Sequence, residues 1–323
     1  MAAFVPAASA TEPESEATPV WEFPCEGEIR SSPVVADDVV YVGAYDHNLY
    51  AIDAESGDFL WKYASEDVIS SSPYVWKDLV FFGSDDRLVY ALDRTTGRIS
   101  WSAPTRGRVI SSPRVAHGHV FVGSDDHCLY NLEARTGRLV WKFQTDSYVR
   151  SSPAISEEFV YFGSDDTNVY AVEIRSNRLK WKYRTHRQVI SSPLLYEGLL
   201  FFGSVDRTFY VVDAKAGWSV WQYRTRNSIF SSPAISEPLG VVCFGSVDRN
   251  VYAFDYSRGP PPVWSFETGG PVSASPVVTE EAVYIGSGDG YLYSLDARTG
   301  ELRWKFYTGA SVVSSPALAG DMV

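Results

Sequence analysis

Residues 151–190 read SSPAISEEFVYFGSDDTNVYAVEIRSNRLKWKYRTHRQVI, and this stretch is one copy of a unit that fills most of the chain. A Ser-Ser-Pro triplet marks each copy, replaced once by Ala274-Ser275-Pro276, and the triplets begin at Ser31, Ser71, Ser111, Ser151, Ser191, Ser231 and Ser314. A tryptophan recurs every 40 residues, with one longer step of 43 from Trp221 to Trp264. A period of this size is typical of solenoids, propellers and other repeat arrays.

Each copy contains four short apolar or aromatic runs separated by turn residues, which predicts four β-strands, A to D. In the quoted copy, strand A spans 149–155, B spans Phe159–Gly163, C spans Asn168–Glu173 and D spans 178–183. The proline within strand A removes a ladder donor, so strand A should lie at a sheet edge. No amphipathic helical pattern extends over ten residues, and the fold class is therefore all-β.

Four antiparallel strands repeated in this way describe the blades of a β-propeller, with strand A innermost beside the central channel. Seven copies are complete, a lone D strand at Trp21 precedes them, and a lone A strand at 311–318 follows them. Residues 321–323 match the start of a strand B, where the chain stops. The ends predict a partial eighth blade, which eight strands A and eight tryptophans favour; a ring of seven with leftover ends is the alternative.

The run G-S-x-D-x-x-x-Y-A-[LVI]-D-x-x-T-G-x-x-x-W-K-[FY], followed closely from Gly286 to Trp304, resembles the PQQ-type (quinoprotein-like) β-propeller repeat. That family contains quinoprotein dehydrogenases and the non-catalytic BamB-like proteins, and the resemblance covers residues 20–323. It implies that each tryptophan, with a turn glycine, docks one blade on the next. The docking tryptophans would be Trp21, Trp61, Trp101, Trp141, Trp181, Trp221, Trp264 and Trp304.

Residues 1–19 lack the repeat and are rich in Ala, Pro, Glu and Thr, which predicts a disordered leader or the remnant of an export signal. The propeller domain then spans 20–323, and an extracytoplasmic or cell-surface location is favoured over the cytoplasm. The net charge of -12 argues against a nucleic-acid partner. No apolar run is long enough for a membrane span, and we expect a monomer.

An aspartate recurs in the B–C turn, and we interpret it as a turn residue because Asp hydrogen-bonds its own turn backbone. Three consecutive copies add a second carboxylate at Asp85, Asp125 and Asp165. The five histidines form no Ser-His-carboxylate triad, and the three cysteines show no metal-ligand spacing. The sequence therefore predicts no catalytic residue and no metal site.

In a repeat protein, function is expected where the copies differ. The positions three before and one before the Ser-Ser-Pro triplet vary, and they lie where strand A leaves the D–A loop, near one channel mouth. Basic residues gather in the same loops. The candidate binding residues are Glu28, Arg30, Arg108, Tyr148, Arg150, Arg184, His186, Arg187, Gln188, Arg224, Arg226 and Phe230. A surface of balanced charges is the alternative.

These features predict a non-catalytic scaffold that holds a protein or peptide partner on a propeller face and channel mouth, where arginines suit an acidic segment or small anion. The resemblance offers a PQQ-dependent quinoprotein dehydrogenase as an alternative. Its members combine PQQ stacked on a tryptophan with a calcium ligand set, an Asp base and often adjacent cysteines. This sequence has no adjacent cysteines and only two tryptophans outside the docking set, so neither PQQ nor calcium is expected. A ligand-sensing domain of a larger protein is the third possibility.

Overall fold

The computed structural model describes residues 2–4 and 17–323, and the secondary structure of these residues consists of β-strands. Strands β1 (Ala2–Phe4) and β2 (Trp21–Phe23) pair with each other, and the remaining strands form seven four-stranded antiparallel sheets. Each sheet follows the order A, B, C, D, so the prediction of an all-β propeller is confirmed.

The blades are numbered in chain order, and their strands have the following bounds. Blades 1 to 3 contain β3 (Val34–Ala36), β4 (Val39–Gly43), β5 (Asn48–Asp53), β6 (Phe59–Ala64), β7 (Tyr74–Trp76), β8 (Leu79–Gly83), β9 (Leu88–Asp93), β10 (Ile99–Pro104), β11 (Arg114–Ala116), β12 (His119–Ser124), β13 (Cys128–Glu133) and β14 (Leu139–Gln144). Blades 4 and 5 contain β15 (Ala154–Ile155), β16 (Phe159–Gly163), β17 (Asn168–Glu173), β18 (Leu179–Arg184), β19 (Leu194–Tyr196), β20 (Leu199–Gly203), β21 (Thr208–Asp213) and β22 (Ser219–Arg224). Blades 6 and 7 contain β23 (Ala234–Ser236), β24 (Val241–Gly245), β25 (Asn250–Asp255), β26 (Trp264–Glu267), β27 (Val277–Val278), β28 (Ala282–Gly286), β29 (Tyr291–Asp296) and β30 (Leu302–Tyr307).

Strand A is shorter than the sequence predicts. In blade 4 it spans Ala154–Ile155 instead of 149–155, because Pro153 has no N–H to place in a ladder. The residue before the proline bonds to the next copy instead, with Ser152 N–H donating to Ser192 Oγ at 2.9 Å. Strand A remains the edge strand beside the channel, as predicted.

Seven of the eight repeat tryptophans, from Trp21 to Trp264, donate a hydrogen bond to the following blade, and Trp304 does not. Trp181 Nε1 donates a hydrogen bond to the Ala214 carbonyl at 3.0 Å, and a Cβ added at Gly217 would lie 2.6 Å from the indole ring. A β-bulge precedes the tryptophan in six of the seven blades. A bulge re-aims the side chain beside it, here towards the turn of the next blade.

The hydrophobic core consists of layers between neighbouring blades. Val120 packs in the layer between blades 2 and 3, and the next residue, Phe121, packs between blades 3 and 4. Successive residues of a strand point to opposite faces, so every blade contributes to two layers. The chain end joins this pattern, with Val323 in the layer against blade 7 and Met322 in the layer against blade 1.

Both ends of the chain contribute to an eighth position. Ser275 N–H donates to Ser315 Oγ at 2.9 Å, and Ser315 N–H donates to Ser32 Oγ at 3.0 Å. The same bond joins the second serine of each earlier triplet to that of the next copy. Strand β2 takes the place of strand D and pairs with β1. Seven complete blades and a partial eighth contributed by both termini are therefore confirmed. The predicted strand A at 311–318 is wrong, because this segment pairs with no strand B and only Ala319 and Met322 form an isolated bridge.

The predicted leader falls largely on residues 1 and 5–16, which lie outside the described residues. Within the described part of the chain, no helix is long and apolar enough to cross a membrane.

Candidate functional site

The recurring aspartate of the B–C turn fixes the loop that enters the same blade. In blade 5, Asp206 Oδ2 accepts hydrogen bonds from His186 N–H at 2.9 Å and Tyr210 OH at 2.8 Å, and Oδ1 accepts one from Thr208 N–H at 2.9 Å. Burial, reinforced by the Asp206 carboxylate, raises the pKa of Tyr210 well above its usual value. The same loop contact recurs in the other blades, so these aspartates belong to the scaffold. It also places the B–C turns and D–A loops on one face, which we call the loop face.

On blades 2 to 4, the second carboxylates form a chain of ion pairs with two predicted site residues. Arg108 lies 3.7 Å from Asp85 and 3.0 Å from Asp125. Arg150 lies 2.9 Å from Asp125 and 3.4 Å from Asp165, so the five side chains alternate in charge.

Burial changes the pKa of the carboxyl groups at the two ends of this row of ion pairs. Burial raises the pKa of the Asp85 and Asp165 carboxyls, against the opposing influence of the neighbouring arginines. The Arg150 guanidinium also lies over the Tyr148 ring at 4.5 Å, which brings a third predicted residue to this place. Arg108 and Arg150 are both paired with carboxylates, so neither guanidinium is free to bind a partner.

On blade 5 the loop face forms a cleft of about 460 Å³. Its lining residues are His186, Arg187, Val205, Asp206, Arg207, Thr208, Arg224, Asn227 and Ser228. No carboxylate of the described residues lies within ion-pair distance of the Arg187, Arg207 or Arg224 guanidinium. Asp206 is already engaged with the scaffold, so the cleft carries unpaired positive charge.

The sequence difference behind this asymmetry is small. The turn position that carries Asp85, Asp125 and Asp165 in blades 2 to 4 carries Val205 in blade 5 and Val247 in blade 6. Without the second carboxylate, the arginines of the adjoining loops have no counter-charge. The arginines of the blade 5 cleft therefore lack a counter-charge, whereas Arg108 and Arg150 are neutralised by the second carboxylates.

The cleft brings together three of the twelve predicted binding residues, namely His186, Arg187 and Arg224. Glu28 and Arg30 pair with each other at 3.0 Å on the opposite side of the ring. The other four are exposed near the cleft in sequence but do not line it, and they are Arg184, Gln188, Arg226 and Phe230.

Four lining residues are not among the predicted binding residues, namely Arg207, Thr208, Asn227 and Ser228. Arg207 follows the recurring aspartate, at a turn position with a positive φ of 74°. The copies differ there, with His47, Arg87, His127, Thr167, Arg249 and Gly290 at the same place. That variation is the signal that points to Arg207, and it is easily overlooked because the neighbouring aspartate marks the B–C turn as scaffold.

A second unpaired charge lies at the central channel. Arg114 follows Pro113 on β11, the innermost strand of blade 3. Its guanidinium lies over the Tyr74 ring of the neighbouring innermost strand at 5.5 Å, and Nη1 donates to the Pro113 carbonyl at 3.3 Å. Burial lowers the pKa of Arg114 from its usual value.

The repeat, the four-stranded blades and the tryptophan contacts define this chain as a PQQ-type β-propeller. A family model described as "Beta-alanine-activating enzyme, beta-propeller" matches residues 114–322, more than half of the chain, and the chain belongs to this propeller family. A second model, described as "Outer membrane protein assembly factor BamB", matches residues 13–73 and 64–154.

Known proteins with this architecture differ in activity. A quinoprotein ethanol dehydrogenase from Pseudomonas putida is 42% identical over 55 residues, covering 17% of this chain and 9% of that protein. BamB from Moraxella catarrhalis has a TM-score of 0.75 at 17% identity, over 89% of both chains. A quinohemoprotein alcohol dehydrogenase from Pseudomonas putida has a TM-score of 0.78 at 16% identity, over 94% of this chain and 70% of that one. At these identities the structural likeness shows the fold alone.

Proposed function

We propose that this propeller is a non-catalytic scaffold that holds a protein or peptide partner on its loop face. The cationic cleft of blade 5 would take an acidic segment of that partner. The observation that carries this proposal is the unpaired state of Arg187, Arg207 and Arg224 around one cleft. An arginine that is already paired gains little from a second carboxylate, whereas an unpaired one can form charge-assisted hydrogen bonds.

The partner's chemistry follows from the cleft's lining. The guanidinium groups match carboxylates in a forked geometry, and Thr208, Asn227 and Ser228 supply neutral hydrogen-bonding groups around them. The chain as a whole has a net charge of -12, so an acidic partner would be repelled elsewhere. A cationic cleft on an acidic molecule thus gives both attraction and orientation.

The non-catalytic part of the proposal rests on how poorly the residues fit a PQQ and calcium centre. Among the described residues, no group of three or more His, Cys, Asp or Glu side chains could hold a metal ion. Cys25, Cys128 and Cys243 are all free. Of the two tryptophans outside the docking set, Trp218 is 67% exposed and Trp76 is covered by Lys77 at 4.5 Å.

Fluorescence anisotropy with a labelled Asp/Glu-rich decapeptide tests the proposed partner chemistry. Wild type should bind the peptide, and the affinity should fall as salt is raised because exposed charges are screened. The double reversal Arg187→Glu with Arg224→Glu should weaken binding tenfold or more, since each lost charge-assisted hydrogen bond is worth about 1.5–3 kcal/mol.

Charge reversal also changes the net charge, so the matched control reverses two arginines away from the loop face. Arg175 and Arg178 lie exposed in the C–D turn of blade 4, at the opposite end of the strands. Arg175→Glu with Arg178→Glu should leave the affinity almost unchanged. Equal weakening by both double variants would contradict a specific cleft.

We keep an extracytoplasmic location as part of the proposal, supported by the match to an outer-membrane assembly factor model and tested by cell fractionation.

A further inference from the structure

The residue that follows the Ser-Ser-Pro proline begins the innermost strand, and its eight copies encircle the channel. These residues are Val34, Tyr74, Arg114, Ala154, Leu194, Ala234, Val277 and Ala317. All eight are partly exposed, as expected for a channel wall that solvent can reach. Arg114 is the charged member of an otherwise apolar or aromatic ring.

The fold does not require a guanidinium at this place, because the other seven copies build the same strand without one. The described residues offer Arg114 no carboxylate, only the Tyr74 ring and the Pro113 carbonyl. A partly exposed guanidinium with no counter-ion can form charge-assisted hydrogen bonds to an anion that enters the channel. A charged residue that the scaffold does not need, and that has no carboxylate partner, therefore points to a ligand that pairs with it.

We propose that the central channel binds a small organic carboxylate whose carboxylate group pairs with Arg114 and whose apolar body lies against Tyr74 and the aliphatic wall. The planar guanidinium fork matches a carboxylate with two parallel hydrogen bonds. Apart from the Tyr74 hydroxyl, the other residues at this level of the wall are aliphatic, which favours an apolar or aromatic body over a sugar or polyol.

This site differs from the blade 5 cleft in place and in chemistry. It lies on the innermost strand of blade 3, and it takes one small molecule instead of an acidic peptide segment. The inference does not rest on the proposed scaffold function, and each can fail alone. A charged residue on the channel wall is also what a ligand-sensing propeller would need to hold its ligand.

Fluorine NMR titration of the full chain with para-fluorobenzoate tests this site, with neutral para-fluorobenzamide as the matched probe. Wild type should bind the benzoate at least tenfold more tightly than the benzamide, because charge-assisted pairing with Arg114 requires the carboxylate. Arg114→Gln should abolish this preference, and Arg114→Lys should retain part of it. The control Arg175→Gln should behave as wild type. An unchanged preference in Arg114→Gln, or equal binding of both probes to wild type, would overturn the inference.

Two further measurements distinguish a channel site from a structural role of Arg114 and from benzoate binding in the blade 5 cleft. Arg114→Leu, which copies Leu194, should fold with an unfolding temperature no lower than that of wild type; a clear fall would show that Arg114 is a structural residue and overturn the inference. Arg187→Glu with Arg224→Glu should keep benzoate binding. If that double variant loses it, the benzoate sits in the loop-face cleft and the channel site is wrong, while the scaffold proposal stands.

Discussion

The backbone N–H of Ser315 donates a hydrogen bond to Ser32 Oγ at 3.0 Å, although 283 positions separate the two residues in the chain. This bond joins the innermost segment of the eighth position to that of blade 1. It has the same form as the bond from Ser112 N–H to Ser152 Oγ in the middle of the chain, at 3.0 Å. The ring is therefore closed at its seam by the interaction that joins its interior copies.

Removing the acceptor at the seam should destabilise the protein as much as removing it in the interior. Ser32→Ala deletes the acceptor of Ser315 N–H, and Ser152→Ala deletes that of Ser112 N–H. Each variant should lose about 1 kcal/mol of unfolding free energy, the usual worth of one such bond. Urea denaturation measures both. A normal loss for Ser152→Ala with none for Ser32→Ala would mean that the seam bond contributes nothing in solution.

Most of the fold follows from the sequence because each blade repeats the same local rules. The predicted bounds of strands B and C in blade 4, Phe159–Gly163 and Asn168–Glu173, agree with the structure, since apolar runs end at clear turn residues. The predicted strand A begins too early because the residues around Pro153 are extended without forming a ladder. Periodicity does not distinguish an extended segment that bonds to the next copy from a strand.

The candidate site is harder to predict because it depends on which charges remain unpaired. Arg150 and Arg187 occupy similar loops in the sequence, but Arg150 pairs with Asp125 and Asp165, while Arg187 lines a cleft in which Val205 takes the place of the second carboxylate. Those contacts join residues of different blades, which single-copy patterns do not reveal. Arg114 is not among the predicted residues because it follows the Ser-Ser-Pro triplet. The variable positions that suggest a binding site precede the triplet.

The C–D turn should require glycine for two reasons: the backbone there has a positive φ, and the neighbouring indole leaves no room for a Cβ. Gly217 has a φ of 76°, and a Cβ there would lie 2.6 Å from Trp181. Gly198 has a similar φ of 75° but nothing within 4 Å. Gly198→Ala should lose about 1 kcal/mol for the left-handed backbone, and Gly217→Ala should lose about 1–3 kcal/mol more through the clash. Equal losses in thermal or urea unfolding would show that the indole moves aside freely.

The docking tryptophan itself should be a major source of stability. Trp181 joins the layer between blades 4 and 5 and donates a hydrogen bond to Ala214 of blade 5. Trp181→Ala should lose about 3–5 kcal/mol of unfolding free energy, as expected for a large ring removed from a packed layer. Trp218→Ala is the matched control, because that ring is 67% exposed, and it should change stability little. A negligible loss for Trp181→Ala would refute the docking role.

The ion-pair chain on blades 2 to 4 should make stability depend on pH when Arg150 is removed. Arg150→Met leaves Asp165, whose side chain is only 10% exposed, without its cationic partner, whereas Asp125 keeps Arg108. Breaking such a pair should lose about 3 kcal/mol near neutral pH. Arg178→Met, in an exposed turn, is the control and should show almost no loss.

The sign of the pH effect follows from the raised pKa of Asp165. A carboxyl whose pKa is higher in the folded protein binds a proton more readily there than in the unfolded chain, so acid favours the folded state. Without Arg150 the pKa should rise further. The deficit of Arg150→Met should therefore shrink as the pH falls from about 7 to about 4, measured by urea denaturation at each pH. A deficit that grows on acidification would show that Asp165 is stabilised as the carboxylate.

The comparison with quinoprotein dehydrogenases leads to a direct test of catalysis. Incubation of the full chain with PQQ and calcium should give no protein-bound cofactor absorbance after gel filtration and no dye-linked oxidation of ethanol. The reason is structural: the described residues contain no cluster of acidic or other ligands for the ion, and Trp218, with its ring 67% exposed, provides no enclosed stacking surface. A quinoprotein dehydrogenase treated in parallel is the positive control. A retained cofactor band without oxidation would contradict the expectation that the chain does not bind PQQ. A cofactor band together with ethanol oxidation would refute the non-catalytic function.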